Sequence, residues 1–182
     1  MVKIGFGTIE TLIPNLGVYT IPGTRATLPS FATDGSACFD LCARFHEGKP
    51  IIGYGNSSME MRISHEGGKF TIFKGWRVLI PTGLILDIPE GYSVRLHARS
   101  GLALKQGLVL TNGEGVIDSD YTNELFVMMH TVGDNMVTIC DGDRICQGEL
   151  VRNQPTQFLS IPNPPQPKTA RNGGFGSTGV TT

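Results

Sequence analysis

The stretch Val78-Leu79-Ile80-Pro81-Thr82-Gly83-Leu84-Ile85-Leu86-Asp87-Ile88-Pro89-Glu90-Gly91-Tyr92-Ser93-Val94-Arg95-Leu96 decides the fold class. Three apolar runs too short for helices are separated by Pro-Thr-Gly and Pro-Glu-Gly, residues that pre-set or permit turn geometry. The same rhythm continues through Glu124-Leu125-Phe126-Val127-Met128-Met129, Met136-Val137-Thr138-Ile139 and Ile145-Cys146-Gln147-Gly148-Glu149-Leu150-Val151. Strands recurring every 8–12 residues or so, with turn residues between them, predict an all-β barrel or sandwich, jelly rolls included. Helical periodicity is confined to Gly101-Leu102-Ala103-Leu104-Lys105-Gln106.

Composition agrees. The 182 residues include 24 Gly and 11 Pro, and charged residues make up only 17%. No apolar stretch reaches the ~18 residues needed to span a bilayer, and no heptad pattern suggests a coiled coil. At this length a single domain buries about 70% of its extended-chain surface. The formal net charge of −1 gives no basic field for a nucleic acid, so neither stable nucleic-acid binding nor a membrane role is expected. The amino terminus Met1-Val2-Lys3-Ile4-Gly5-Phe6 has no secretory pattern, and a cytoplasmic location is expected, the host-cell cytoplasm if the source is viral. Cys38, Cys42, Cys140 and Cys146 show no CxxC spacing and no neighbouring His that completes a zinc pattern, so they read as buried, reduced thiols.

The domain is expected to run over 1–160, with 161–182 as a tail. Within it, residues 45–75 are rich in Gly, Asn, Ser and His, and the alternation Met59-Glu60-Met61-Arg62-Ile63 predicts a projecting hairpin. His46, Tyr54, Met59 and Met61 give that segment features suited to a protein partner. Pro162, Pro164, Pro165 and Pro167 predict a stiff extended linker, and Gly173, Gly174, Gly176 and Gly179 a flexible loop, for which composition alone also fits disorder.

Four segments could carry chemistry. In Ala98-Arg99-Ser100-Gly101, Arg offers a planar fork, Ser a hydroxyl, and the N–H groups freed by Gly101 can face an anion; a solvated strand-end charge is the plainer alternative. Leu108-Val109-Leu110 and Val116-Ile117 flank Asn112-Gly113, a hairpin signal whose exposed backbone could read a flat heterocycle. Asp118 then stands either as a partly desolvated base or as a turn-capping residue. Asp141-Gly142-Asp143-Arg144 reads as a loop with a structural Asp-Arg pair, after which Gln147 faces opposite to Cys146. In Arg171-Asn172-Gly173-Gly174-Phe175-Gly176-Ser177-Thr178-Gly179, an aromatic in a glycine loop asks for a stacking partner.

Taken in order, these segments resemble the five motifs of the trimeric all-β dUTP pyrophosphatases, the dUTPases. Gly35-Ser36-Ala37-Cys38-Phe39-Asp40-Leu41 is similar to the first, Arg99-Ser100-Gly101 to the second, Asn112 to Tyr121 to the third, Gly142 to Gln147 to the fourth, and Gly173 to Gly179 to the fifth. The resemblance implies a jelly-roll-like β-barrel with a flexible C-terminal arm, a homotrimer with shared active sites, and Mg²⁺-assisted hydrolysis of dUTP to dUMP and pyrophosphate. Such an enzyme keeps uracil out of DNA and supplies dUMP for dTMP synthesis.

The resemblance also implies roles. Asp118 orients water for attack on the α-phosphorus; Arg99, Ser100, Gly101 and Gln147 hold the α and β phosphates; Asn112, Val116, Ile117 and Phe126 read uracil; Tyr121 packs beneath the deoxyribose. Phe175 stacks on uracil while Arg171, Gly176, Ser177 and Thr178 engage the terminal phosphates, and Asp40 meets the metal through water. The chain departs from the family pattern at four places, one being the unusually long interval from Asp40 to Arg99, whose excess residues 45–75 account for. Arg171 stands four residues before Phe175 instead of five, leaving Lys168 as an alternative cation; Cys38 replaces a common Gly; and Thr122-Asn123 follows Tyr121 where Arg-Gly or Gln-Gly is usual. The related dCTP deaminase reading wants a glutamate base and an Arg-Ser-Ser pattern that this chain lacks.

Overall fold

The computed structural model describes residues 13–169. Fourteen strands are present among them: β1 (Gly17–Thr20), β2 (Ser30–Phe31), β3 (Phe39–Cys42), β4 (Ile51–Tyr54), β5 (Glu60–Ile63), β6 (Lys69–Ile72), β7 (Arg77–Pro81), β8 (Leu84–Asp87), β9 (Tyr92–Ala98), β10 (Leu108–Leu110), β11 (Gly115–Ile117), β12 (Phe126–Thr131), β13 (Val137–Cys140) and β14 (Arg144–Arg152). One helix, α1 (Ser100–Gln106), follows β9 and ends on Gly107, whose left-handed φ of 66° lets its N–H cap the last turn. All strand pairings are antiparallel. Two five-stranded sheets, ordered β10-β12-β7-β4-β5 and β11-β9-β14-β3-β2, are joined by the short pairs β1-β8 and β13-β6. This is the expected all-β, jelly-roll-like barrel.

Alternation explains the core. In β12, Val127, Met129 and Thr131 point inward while Phe126 and Met128 face out, and in β9 Val94 and Leu96 point inward; in β14 the consecutive Ile145 and Cys146 are both buried, at the register shift between Arg144 and Cys146. One apolar cluster drawn from both large sheets fills the interior, with Leu41, Ile72, Ile80, Val94, Leu108, Val127, Met129 and Ile145 excluded from solvent. Gly148 marks its tightest backbone approach: a Cβ there would lie 2.4 Å and 2.5 Å from ring atoms of Phe39 across the β14–β3 ladder. Phe39 is itself held edge-on against Phe31. Gly148→Ala is therefore expected to overpack this site by about 1–3 kcal/mol. A thermal melt should show a fall of several degrees, since each kcal/mol is worth roughly 2–4 °C in a domain of this size; an unchanged midpoint would contradict the close approach.

Three expectations are corrected. Residues 45–75 contain the expected hairpin, β4 with β5, but it is built into a large sheet instead of projecting. β4 pairs with β7 as well as β5, β6 pairs with β13, and Ile51, Phe70 and Ile72 enter the core. The turn residues between these apolar positions hide their alternation, which is why the segment reads as a protrusion. Leu108–Leu110 and Gly115–Ile117 do not form a hairpin with each other: β10 pairs with β12 and β11 with β9, so the Asn112-Gly113 turn carries the chain between sheets. The cysteines are free but not uniformly buried, with Cys140 exposed and Cys38 and Cys42 half-buried. Only Cys146 fits the buried reading, and burial pushes its thiol up to about 12. The Pro-rich run is exposed and without regular structure as far as residue 169; the glycine loop lies outside the described residues.

Candidate active site

The third-motif segment builds a pocket by changing sheets. Strand β11 lies at the edge of its sheet and pairs only with β9, through Gly115↔Leu96, Val116↔Arg95 and Ile117↔Val94. Its other edge keeps backbone donors and acceptors available to a planar ligand. Gly115 is needed for this approach, since a Cβ would meet the Leu96 Cβ at 2.8 Å. A cavity of about 320 Å³ opens beside this edge, and Asn112, Val116, Ile117, Asp118, Tyr121 and Phe126 all line it. These are the residues expected to read the base and sugar and to supply the catalytic carboxylate. Leu79, Leu96, Leu110, Gly115 and Met128 complete the lining. They were not singled out from sequence, although the outward position of Leu79 and Met128 in strands of alternating pattern was a usable signal.

Tyr121 is fixed at both ends. Its backbone N–H donates to the Asp118 carbonyl at 3.1 Å, and its phenol donates to the Glu124 carbonyl at 2.8 Å. Glu124 in turn is anchored through its carboxylate, which accepts from the Gly83 N–H at 2.8 Å and lies 2.8 Å from His46 Nε2. The 45–75 segment therefore braces the pocket from behind through His46. Asp118 itself is exposed in the single chain and not the partly desolvated carboxylate considered from sequence.

A second cluster gathers the first, second and fourth motifs. Asp40 on β3 meets Arg144 on β14, whose Nη1 donates to Oδ2 at 3.0 Å, and Arg99, whose Nε lies 3.4 Å from Oδ1. Arg99 Nη1 also donates to the Arg144 carbonyl at 2.8 Å. The fourth-motif pair is thus not Asp143 with Arg144: Asp143 instead caps the Cys140 N–H at 2.8 Å, and Arg144 serves Asp40. Gln147 is half-buried beside this group, in register with Asp40 on one side and His97 on the other. Ser100 and Gly101 open α1, where first-turn N–H groups have no intrahelical acceptor. Asp40 and Arg144 line a cleft of about 310 Å³ closed by residues 27–32.

The two regions share no lining residue. A larger cleft of about 540 Å³ near Thr24, His65 and Asp141 holds none of the expected site residues. Arg171, Phe175, Gly176, Ser177 and Thr178 lie outside the described residues.

An antiparallel β-barrel presenting a strand-edge pocket and, apart from it, an Asp–Arg cluster defines the class. The dUTPase family model matches residues 67–179. The chain is 36% identical over 172 residues to the deoxyuridine 5'-triphosphate nucleotidohydrolase of Brucella melitensis biotype 2, covering 92% of this chain and 94% of the relative. Among solved structures, it is similar to the dUTPase of Streptococcus mutans, with a TM-score of 0.58, 28% identity and coverage of 78% and 99% of the two chains. The dUTPase of Staphylococcus bacteriophage 80alpha, in a structure with dUpNHpp, shares the fold at a TM-score of 0.69 and 18% identity, covering 92% and 100%. The chain belongs to the dUTPase family.

Proposed function

We propose that this chain hydrolyses dUTP to dUMP and pyrophosphate as a homotrimer with shared active sites. The observation that carries the reading is the convergence of Asn112, Asp118, Tyr121 and Phe126 on one cavity beside an unpaired strand edge. Uracil is read by β11 backbone and Asn112; a cytosine in the same place leaves donors and acceptors unpaired in a dry pocket, the strong form of discrimination. Asp118 accepts a proton from water as its oxygen attacks the α-phosphorus and pyrophosphate leaves. Arg99, Arg144 and Gln147 face the phosphates, whose roughly four negative charges need neutralisation as the bond breaks. Arg171, Phe175, Gly176, Ser177 and Thr178, the further candidates for contacts with base and terminal phosphates, lie outside the described residues.

The residues present fit Mg²⁺ in a water-mediated role. Asp40 Oδ1 is buried and accepts no hydrogen bond among the described residues, while its two guanidinium neighbours already balance its charge. Magnesium would supply charge neutralisation on the phosphates and orient them, keeping most of its waters. Shared sites are supported by the separation of pocket and charge cluster. They are also supported by Phe158, Leu159 and Ile161, apolar side chains that the single chain leaves 97%, 83% and 60% exposed. No helix of the described residues is long and apolar enough to cross a membrane. A cytoplasmic enzyme that clears dUTP and feeds dTMP synthesis is the setting this reading implies.

Turnover in ¹⁸O-labelled water tests the bond that breaks. The label should appear in dUMP; label in pyrophosphate would place the attack elsewhere and remove Asp118 from the reaction. Tyr121 gives a further expectation. Its held ring leaves no room for a 2′-hydroxyl, so Tyr121→Ala should erode the preference for dUTP over UTP by about 10²-fold, the scale on which an apolar wall rejects a hydroxyl. Steady-state kinetics with both nucleotides checks this, and an unaltered preference would exclude the ring as the sugar gate.

A further inference from the structure

Beside the proposed phosphate-binding row, the same sheet brings together three side chains that dUTP hydrolysis does not use. Cys38 immediately precedes β3, His97 lies in β9 and Glu149 in β14, the strand between them. Their ligand atoms, one sulfur, one nitrogen and one oxygen, all lie within 4.8 Å of one another, and all three residues are half-buried. His97 Nε2 is 3.3 Å from Glu149 Oε2. For zinc bonds of about 2.3 Å to sulfur and 2.0–2.2 Å to nitrogen or oxygen, tetrahedral ligands stand roughly 3.3–3.8 Å apart. The imidazole–carboxylate edge already has that length, and the thiol lies within 4.8 Å of both.

A second carboxylate faces the imidazole. Its other nitrogen, Nδ1, lies 3.9 Å from Glu114 Oε1, and Glu114 is held in turn by Arg95, whose Nη1 donates to Oε2 at 3.3 Å. A metal-bound histidine commonly directs its remaining N–H at a carboxylate, which fixes the tautomer and strengthens the ligand. We propose that Cys38, His97 and Glu149 form a three-ligand site for a thiophilic divalent metal, zinc being the fit, with Glu114 orienting His97 and the fourth position open. The donor set separates this site from the magnesium role of Asp40, because a thiolate suits zinc or cobalt and offers little to a hard oxygen-seeking ion. Bound there, the ion ties β3, β14 and β9 together. The inference does not depend on dUTP being the substrate.

Titration of the metal-free, full-length protein with Co²⁺ tests it. One Co²⁺ per chain should bind with a thiolate-to-cobalt charge-transfer band, be displaced by Zn²⁺, and resist a large excess of Mg²⁺. Cys38→Ser should abolish the band, whereas Cys140→Ser should keep it. Glu114→Gln should weaken binding by about 10–100-fold while leaving the band in place at saturation. If Cys38→Ser fails to fold, thiol mapping of the unaltered protein decides: Zn²⁺ should shield Cys38 from alkylation and leave Cys140 reactive. Absence of a band at Co²⁺ well above the protein concentration, a band that survives Cys38→Ser, or equal alkylation with and without Zn²⁺ would each overturn the site.

Discussion

Asp118→Asn is expected to lower kcat for dUTP hydrolysis by about 10²–10⁴-fold, the range that a positioned general base supplies. Substrate affinity should stay within a few-fold of the parent, because the amide keeps the size of the side chain and the cavity wall that Asp118 shares with Tyr121 and Ile117. The backbone turn is also preserved, since Tyr121 bonds to the Asp118 carbonyl and not to its carboxylate. Exposure of Asp118 sharpens the expectation, since the carboxylate is available to water. Equilibrium binding of a non-hydrolysable dUTP analogue, measured beside kcat, separates the two effects. Near-parent kcat would remove Asp118 from the chemistry.

Arg99→Ala should lower kcat/KM by about 10²–10³-fold, the cost of removing one preorganised donor from a site where negative charge develops. Arg99 is held for such a task by its bond to the Arg144 carbonyl and its contact with Asp40, and it stands at the entry to α1. Stability should fall as well, by about 1–3 kcal/mol, because Asp40 Oδ1 is buried and loses its neighbouring guanidinium. Arg99→Lys should recover only part of the loss, since a point charge replaces the planar fork. A variant that loses activity only in proportion to a lowered melting temperature would make Arg99 a structural residue.

What sequence made legible follows a physical divide. Strands such as Tyr92–Ala98 and Arg144–Arg152 are visible because one face of each is buried, and burial writes alternation into the chain. Part of the pocket is legible for a related reason: Asn112, Val116, Ile117, Asp118 and Tyr121 are neighbours in sequence, whereas Leu79, Leu96 and Met128 reach it from other strands and leave no sign in that segment. Pairings made by sheet order left no such trace. Asp40 and Arg144 are 104 residues apart, so the local Asp143-Arg144 pair was the natural but incorrect reading. Cys38 met His97 only once β14 was placed between β3 and β9. His46 was assigned to a protruding segment because its partner, Glu124, lies 78 residues away.

The β11 edge and the residues around it are expected to select deoxyuridine triphosphate. Pyrophosphate release in the presence of Mg²⁺, measured as kcat/KM for dUTP, dCTP, dTTP and UTP with the full-length protein, tests it most directly. Release from dUTP should be rapid, with values lower by orders of magnitude for the other three. Comparable turnover of dCTP or dTTP, or no release from dUTP, would contradict it.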